Sequence, residues 1–237
     1  MKHSIVAVFI TATGYLFYRL IPEINLIKNR LFSNHNENEA IIYLRRIFTA
    51  FIYGGLPVLI IIFSGNEFGK YGMKFQKPAF TILSGVITGI LLTGINIIHH
   101  KRPDNLASFP EIRKKQWDIK TLIYSTITWI IYLLGYEILF RGYMLFSMTE
   151  FAGKWPAIMV NIVLYSLVHF HKGWKEAAGA IPLGFVLSFL CLLAGNFWPA
   201  FIAHVFLALS NEWLSLKAHP DIRFTSKRTL WQKNYLY

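Results

Sequence analysis

A chain of 237 residues that is 54% hydrophobic, 16% aromatic and only 15% charged, with a mean hydropathy of +0.42, cannot hide its apolar surface in a water-soluble fold of this length. The formal charge of +12 is accounted for by loops that meet anionic lipid, so nucleic acid is not expected as a partner. The apolar runs lack the alternation of a membrane β-barrel, so the expected class is all-α: a polytopic transmembrane bundle of about seven spans, with membrane lipid as its surroundings.

In chain order the runs fall at about 4–21, 46–64, 79–98, 120–148, 155–171, 177–194 and 197–216. Most are near the ~20 residues that cross a ~30 Å hydrocarbon core at 1.5 Å per residue. The first run follows only Lys2 and His3. Tyr15, Phe17 and Tyr18 stand where a signal peptide would need small cleavage-site residues, so it is read as a helix. Residues 22–45, with Asn34, His35, Asn36, Glu37, Asn38 and Glu39, read as a polar loop. In the third run Gly85 and Gly89 have the small-xxx-small spacing of close helix packing. The fourth run is too long for one straight span, and Gly135 marks the expected bend, beyond which the chain tilts or surfaces. Cys191 lies alone in an apolar run and is read as packing; with one cysteine there is no intrachain disulfide.

Lys and Arg outside the runs number about 15 on the side of loops 22–45, 99–119, 172–176 and the tail after 216, against about 5 on the side of the N-terminus. This asymmetry predicts an outside N-terminus and an inside C-terminus. The chain divides into N-terminal transmembrane helices over 1–119, core helices over 120–216 and a basic tail over 217–237.

Ionisable groups inside a span cost about 2.5–3.5 kcal/mol at a helix centre by insertion scales, so each needs a reason. Glu137 and Arg141 are four apart, on one helical face, where they can pair. His169 ends the fifth run. His171 is two residues on, about 200° around a helix, and is expected at the membrane interface beside Lys172. His204 and Asn211 lie seven apart on nearly the same face of the last run. Each has a bland explanation in helix fastening. An acid, a cation and two histidines on three late spans read together as a reaction site. Glu137 would take a proton from water, with Arg141 favouring its ionised form, while His169 and His204 hold the water or the developing oxyanion.

These residues resemble the CPBP intramembrane proteases, which include the CAAX prenyl endopeptidases and the Abi proteins. That family's pattern is Glu-Glu-x-x-x-Arg, then Phe-x-x-x-His, then His-x-x-x-Asn or Asp. The corresponding blocks here are Tyr136-Glu137-x-x-x-Arg141-Gly142, Tyr165-x-x-x-His169 and His204-x-x-x-Ala208, within about 120–215. The resemblance implies hydrolysis of a peptide bond near the end of a peptide or protein substrate. The short length with few insertions suggests a bacterial-type member, and with it the inner membrane. Tyr136 and Ala208 depart from the pattern, Tyr136 at the glutamate usually assigned as base and Ala208 at the final polar residue, with Asn211 one turn later as its candidate replacement. An exchange of roles between Tyr136 and Glu137, about 100° apart, requires rotation or a kink, which Gly135 would permit. Without it the chain is a non-catalytic scaffold or regulator of the same fold. A proton-linked transporter using the same buried groups is a third reading, though inverted repeats that would support it are not found. Two His and one Glu would suit zinc, but no His-Glu-x-x-His block exists, and the expected site works without a metal or other cofactor.

Overall fold

The computed structural model describes residues 2–20 and 37–225. Helix α1 spans Lys2–Leu20. Helix α2, Glu37–Ala50, runs through a π-helical turn, Phe51–Gly55, into α3, Leu56–Phe63. Helix α4 covers Pro78–His99 and is followed by the short α5, Pro103–Ser108. Helix α6, Ile119–Glu137, continues through a second π-helical turn, Ile138–Met144, into α7, Leu145–Ala152. Helices α8, Lys154–His169, α9, Trp174–Ala194, and α10, Trp198–Ala218, complete the bundle. A two-residue strand, β1 (Gln116–Trp117), pairs in parallel with β2 (Arg223–Phe224), so the all-α reading holds apart from this clip.

Four helical stretches, Glu39–Phe63, Pro78–His99, Ile119–Ala152 and Trp174–Ala194, are long and apolar enough to cross a bilayer. With the composition, they make this an integral membrane protein. Large apolar side chains such as Phe9, Phe63, Ile98 and Met159 stay exposed on the outside of the bundle, where lipid is their solvent.

Contacts fix how the helices run. Asn96 in α4 donates from Nδ2 to Leu207 O and Ser210 Oγ of α10 at 2.8 and 2.7 Å. Gly85 and Gly89 face Ile202 and Phe206 of the same helix, where an added Cβ would come within 2.9 and 2.6 Å. Rising numbers thus meet rising numbers, so α4 and α10 are parallel and the glycines permit their close approach. Glu137 meets His204 while Ser125 meets Glu212, so α6 and α10 are antiparallel.

Two sequence expectations are corrected here. Residues 37–45 of the proposed polar loop are helical, and 22–36 lie outside the described residues. Polarity did not mark the helix start, because the charged residues of α2 find partners: Arg45 and Arg46 both bind Glu111, and their guanidiniums lie 4.2 and 4.0 Å from the ring centroids of Tyr18 and Trp129. Arg46 is wholly buried, also donating to Ser125 and Thr128. Secondly, the fourth run does not break at Gly135. Gly135 is a contact residue, its missing Cβ leaving room for the Ala50 carbonyl at 2.5 Å, and Gly54 packs on its Cα. The start of the basic tail forms the end of α10 and strand β2, and its residues 226–237 lie outside the described set.

Candidate active site

The second π-helical turn sets the site. Glu137 ends α6, and Arg141 lies within the turn; both are completely buried. Arg141 Nη1 is 3.5 Å from Glu137 Oε2, so the pair foreseen from the spacing forms. The turn is tied to α8, where Asn161 donates from Nδ2 to the Phe140 carbonyl at 2.6 Å, and Ser188 of α9 donates to Asn161 Oδ1 at 3.2 Å. Arg141 lies over the ring of Tyr165, 4.1 Å from its centroid.

From α10, His204 donates through Nδ1 to Glu137 Oε1 at 2.6 Å. A carboxylate only accepts, so this bond sets which ring nitrogen carries the proton and leaves Nε2 as the other functional edge. His204 lines a cavity of about 860 Å³ together with Tyr136, Tyr165, His169, Ala208 and Asn211. Glu137 and Arg141 are not part of its lining and sit behind this wall. The wider part is bounded by Tyr15, Tyr18, Tyr53 and Tyr132, and by aliphatic side chains of α4 and α9 such as Leu91, Ile95, Leu183 and Val186.

The candidates named from sequence therefore separate into layers. Glu137, Arg141 and His204 form one contiguous charged unit. His169 is on the same cavity, its Nδ1 donating to the Tyr165 carbonyl at 2.8 Å and its ring 4.6 Å from that of Tyr165. Asn211 also faces the cavity, two turns or about 10 Å along α10 from His204. Its Oδ1 accepts from Ser215 Oγ, and it makes no hydrogen bond to the Glu137–His204 pair. His171 lies just past the end of α8. The helix gives way to a 3-10 turn, Phe170–Lys172, so the 200° separation from His169 does not apply, and both histidines line the cavity.

Tyr136 takes a different place from Glu137. Its ring stacks on Phe140 at 4.4 Å and meets His204 and His169 edge-on at 5.7 and 6.4 Å, on the cavity side of the carboxylate. The unbroken α6 keeps the two side chains on different faces. Asn161 and Ser188 are site residues that spacing did not single out, whereas Tyr165 is marked as the aromatic of the Tyr165-x-x-x-His169 block. Asn161 carried a usable signal, a full amide inside an apolar run.

No three His, Cys, Asp or Glu side chains converge as metal ligands among the described residues. Glu137 meets His204 through Oε1, faces the Arg141 guanidinium with Oε2 and stays out of the cavity lining, so this donor set does not fit a His2Glu zinc centre.

Residues 109–210 match the family described as Type II CAAX prenyl endopeptidase Rce1-like. The matched segment runs from the loop before α6 to the second half of α10 and contains Glu137, Arg141, His169 and His204. The resemblance to the CPBP group is thus shown over this segment, and it points to a membrane-embedded protease that acts on peptides. Neither a curated protein nor a solved structure matches the chain.

Proposed function

We propose that this chain is a CAAX-type intramembrane endopeptidase in which Glu137 acts on water through His204, within a bundle of seven spans whose cavity opens on the basic, inner side. The carrying observation is the 2.6 Å bond from His204 Nδ1 to a carboxylate that stays out of the cavity while the histidine lines it. A carboxylate behind an imidazole orients the ring and stabilises the imidazolium that forms when Nε2 takes a proton. Arg141 in turn balances the charge of Glu137.

The chemistry follows from this order. His204 Nε2 removes a proton from a water in the cavity as its oxygen bonds to the scissile carbonyl carbon, and the carbonyl π pair moves onto oxygen. Collapse of that intermediate breaks the C–N bond, and the imidazolium returns its proton to the leaving amine. His169 borders the same space and would position the water. Aromatic and aliphatic walls suit a peptide end that carries a prenyl or other apolar group.

The test is cleavage of quenched peptides, with and without a prenylated cysteine, by purified wild type, Glu137→Gln and His204→Ala, each with and without chelator. The expected result is cleavage by wild type that falls at least about 100-fold in both variants and is indifferent to chelator. Cleavage by His204→Ala at the wild-type rate would overturn the mechanism.

A second reading, a scaffold that holds peptides without cutting them, draws on Tyr136 and Ala208, which put a phenol and a methyl at cavity positions where the family pattern has acidic or amide groups. A wild type that binds such peptides and cleaves none would establish it.

A further inference from the structure

Of the tyrosines that line the cavity, Tyr18 donates to Glu111 at 2.9 Å and Tyr53 donates to the Thr11 carbonyl at 3.4 Å. Tyr136 differs. Its side chain is 3% exposed, and its hydroxyl is buried with no hydrogen-bond partner among the described residues. An unpaired buried hydroxyl costs stability, whereas phenylalanine would keep the stack on Phe140 without that cost. The unpaired group lies in a residue that touches the cavity and meets the rings of both His204 and His169. The hydroxyl itself is closed off from the cavity, so it gains an acceptor there only when a bound molecule shifts the ring and meets it.

We propose that the Tyr136 hydroxyl donates a hydrogen bond to the carbonyl oxygen of a peptide bound in this cavity, and holds the oxyanion when that carbonyl is attacked. This rests on the peptide-binding reading of the cavity but not on hydrolysis itself. The phenol keeps its proton throughout. It supplies the kind of donor that Ala208 cannot offer, from the opposite helix. Its position beside His204 puts the acceptor within reach of the same water that Nε2 would activate.

The test compares two uncleavable versions of one prenylated-cysteine peptide bound to the detergent-solubilised full chain. One carries a phosphinate, which keeps an anionic oxygen at the scissile position. The other carries a methylene-amine, which has no oxygen there. Wild type and Tyr71→Phe, whose equally unpaired buried hydroxyl lies away from the cavity lining, are expected to prefer the phosphinate, and Tyr136→Phe to lose about tenfold or more of that preference while melting no lower than wild type. Where wild type cleaves, kcat of Tyr136→Phe is expected to fall about 100-fold with KM little changed. An unchanged preference in Tyr136→Phe, or no preference in wild type, overturns the proposal. So does a Tyr136→Phe protein that fails to fold, because the hydroxyl would then have a partner within the protein. Absence of cleavage by wild type would instead sink the protease reading and leave the binding comparison to decide this one.

Discussion

His204 Nδ1 and Glu137 Oε1 are 2.6 Å apart although 67 residues separate them in the chain. The carboxylate is fully buried with Arg141 Nη1 3.5 Å from its other oxygen, so the imidazole is the part of this unit that reaches the cavity. The same arrangement makes the acid a structural counter-ion, so its removal has two separable consequences.

Glu137→Gln leaves Arg141 buried without a counter-charge, and breaking one side of a buried pair costs about 3–5 kcal/mol. The double variant Glu137→Gln/Arg141→Met is expected to recover most of that stability, while peptide cleavage stays lost. Thermal unfolding in detergent beside single-turnover cleavage checks this. Equal activity loss and no recovery of stability in the double variant would remove the ion pair from the account.

Gly135→Ala is expected to lower stability by about 1–3 kcal/mol, the usual cost of overpacking. The new Cβ would lie 2.5 Å from the Ala50 carbonyl, a backbone atom that cannot move aside cheaply. Gly94→Ala serves as the control: an added Cβ there meets nothing within 4 Å, and the melting temperature should stay the same or rise. Differential scanning fluorimetry distinguishes the two.

Arg46→Ala should destabilise the protein more than Arg45→Ala. Arg46 is fully buried, bonded to Glu111, Ser125 and Thr128, with Glu212 at 3.9 Å, whereas the Arg45 side chain is 15% exposed. The expected loss is about 3–5 kcal/mol, read by urea unfolding of the purified chain. Restoring Tm by adding Glu212→Gln would identify the lost counter-charge as the cause.

Asp118 caps α6 by accepting from the Thr121 N–H at 2.8 Å, and this bond, with that of the Thr121 hydroxyl, holds its carboxyl below the usual range. A depressed folded value means stability that is present above the ordinary aspartate pKa of about 3.9. That contribution is lost as pH falls through the lower, folded value. Asp118→Ala should cost about 0.5–2 kcal/mol at neutral pH. Asp118→Asn should retain most of the cap and flatten the acid limb of a plot of melting temperature against pH.

Much of the architecture was legible along the chain because lipid leaves few options. Apolar runs near 20 residues must close their own backbone hydrogen bonds, and each of the seven runs coincides with a long helix. The i,i+4 spacing of Glu137 and Arg141 was legible for the same reason, since one helix fixes it. The helical start of α2 was not, because its polar residues are stabilised by Glu111, Tyr18 and Trp129, which lie on other elements.

The sequence by itself determined a helical membrane protein, the acid, cation and histidines of its core, and the absence of a glutamate at position 136. Only the tertiary structure decided that Glu137 sits behind His204, that Tyr136 and both His169 and His171 border the cavity, and that Gly135 packs against α2 without interrupting its helix. Periodicity fixes the direction of a side chain around its own axis, but which face meets a cavity and which meets a neighbour depends on how helices distant in sequence pack together.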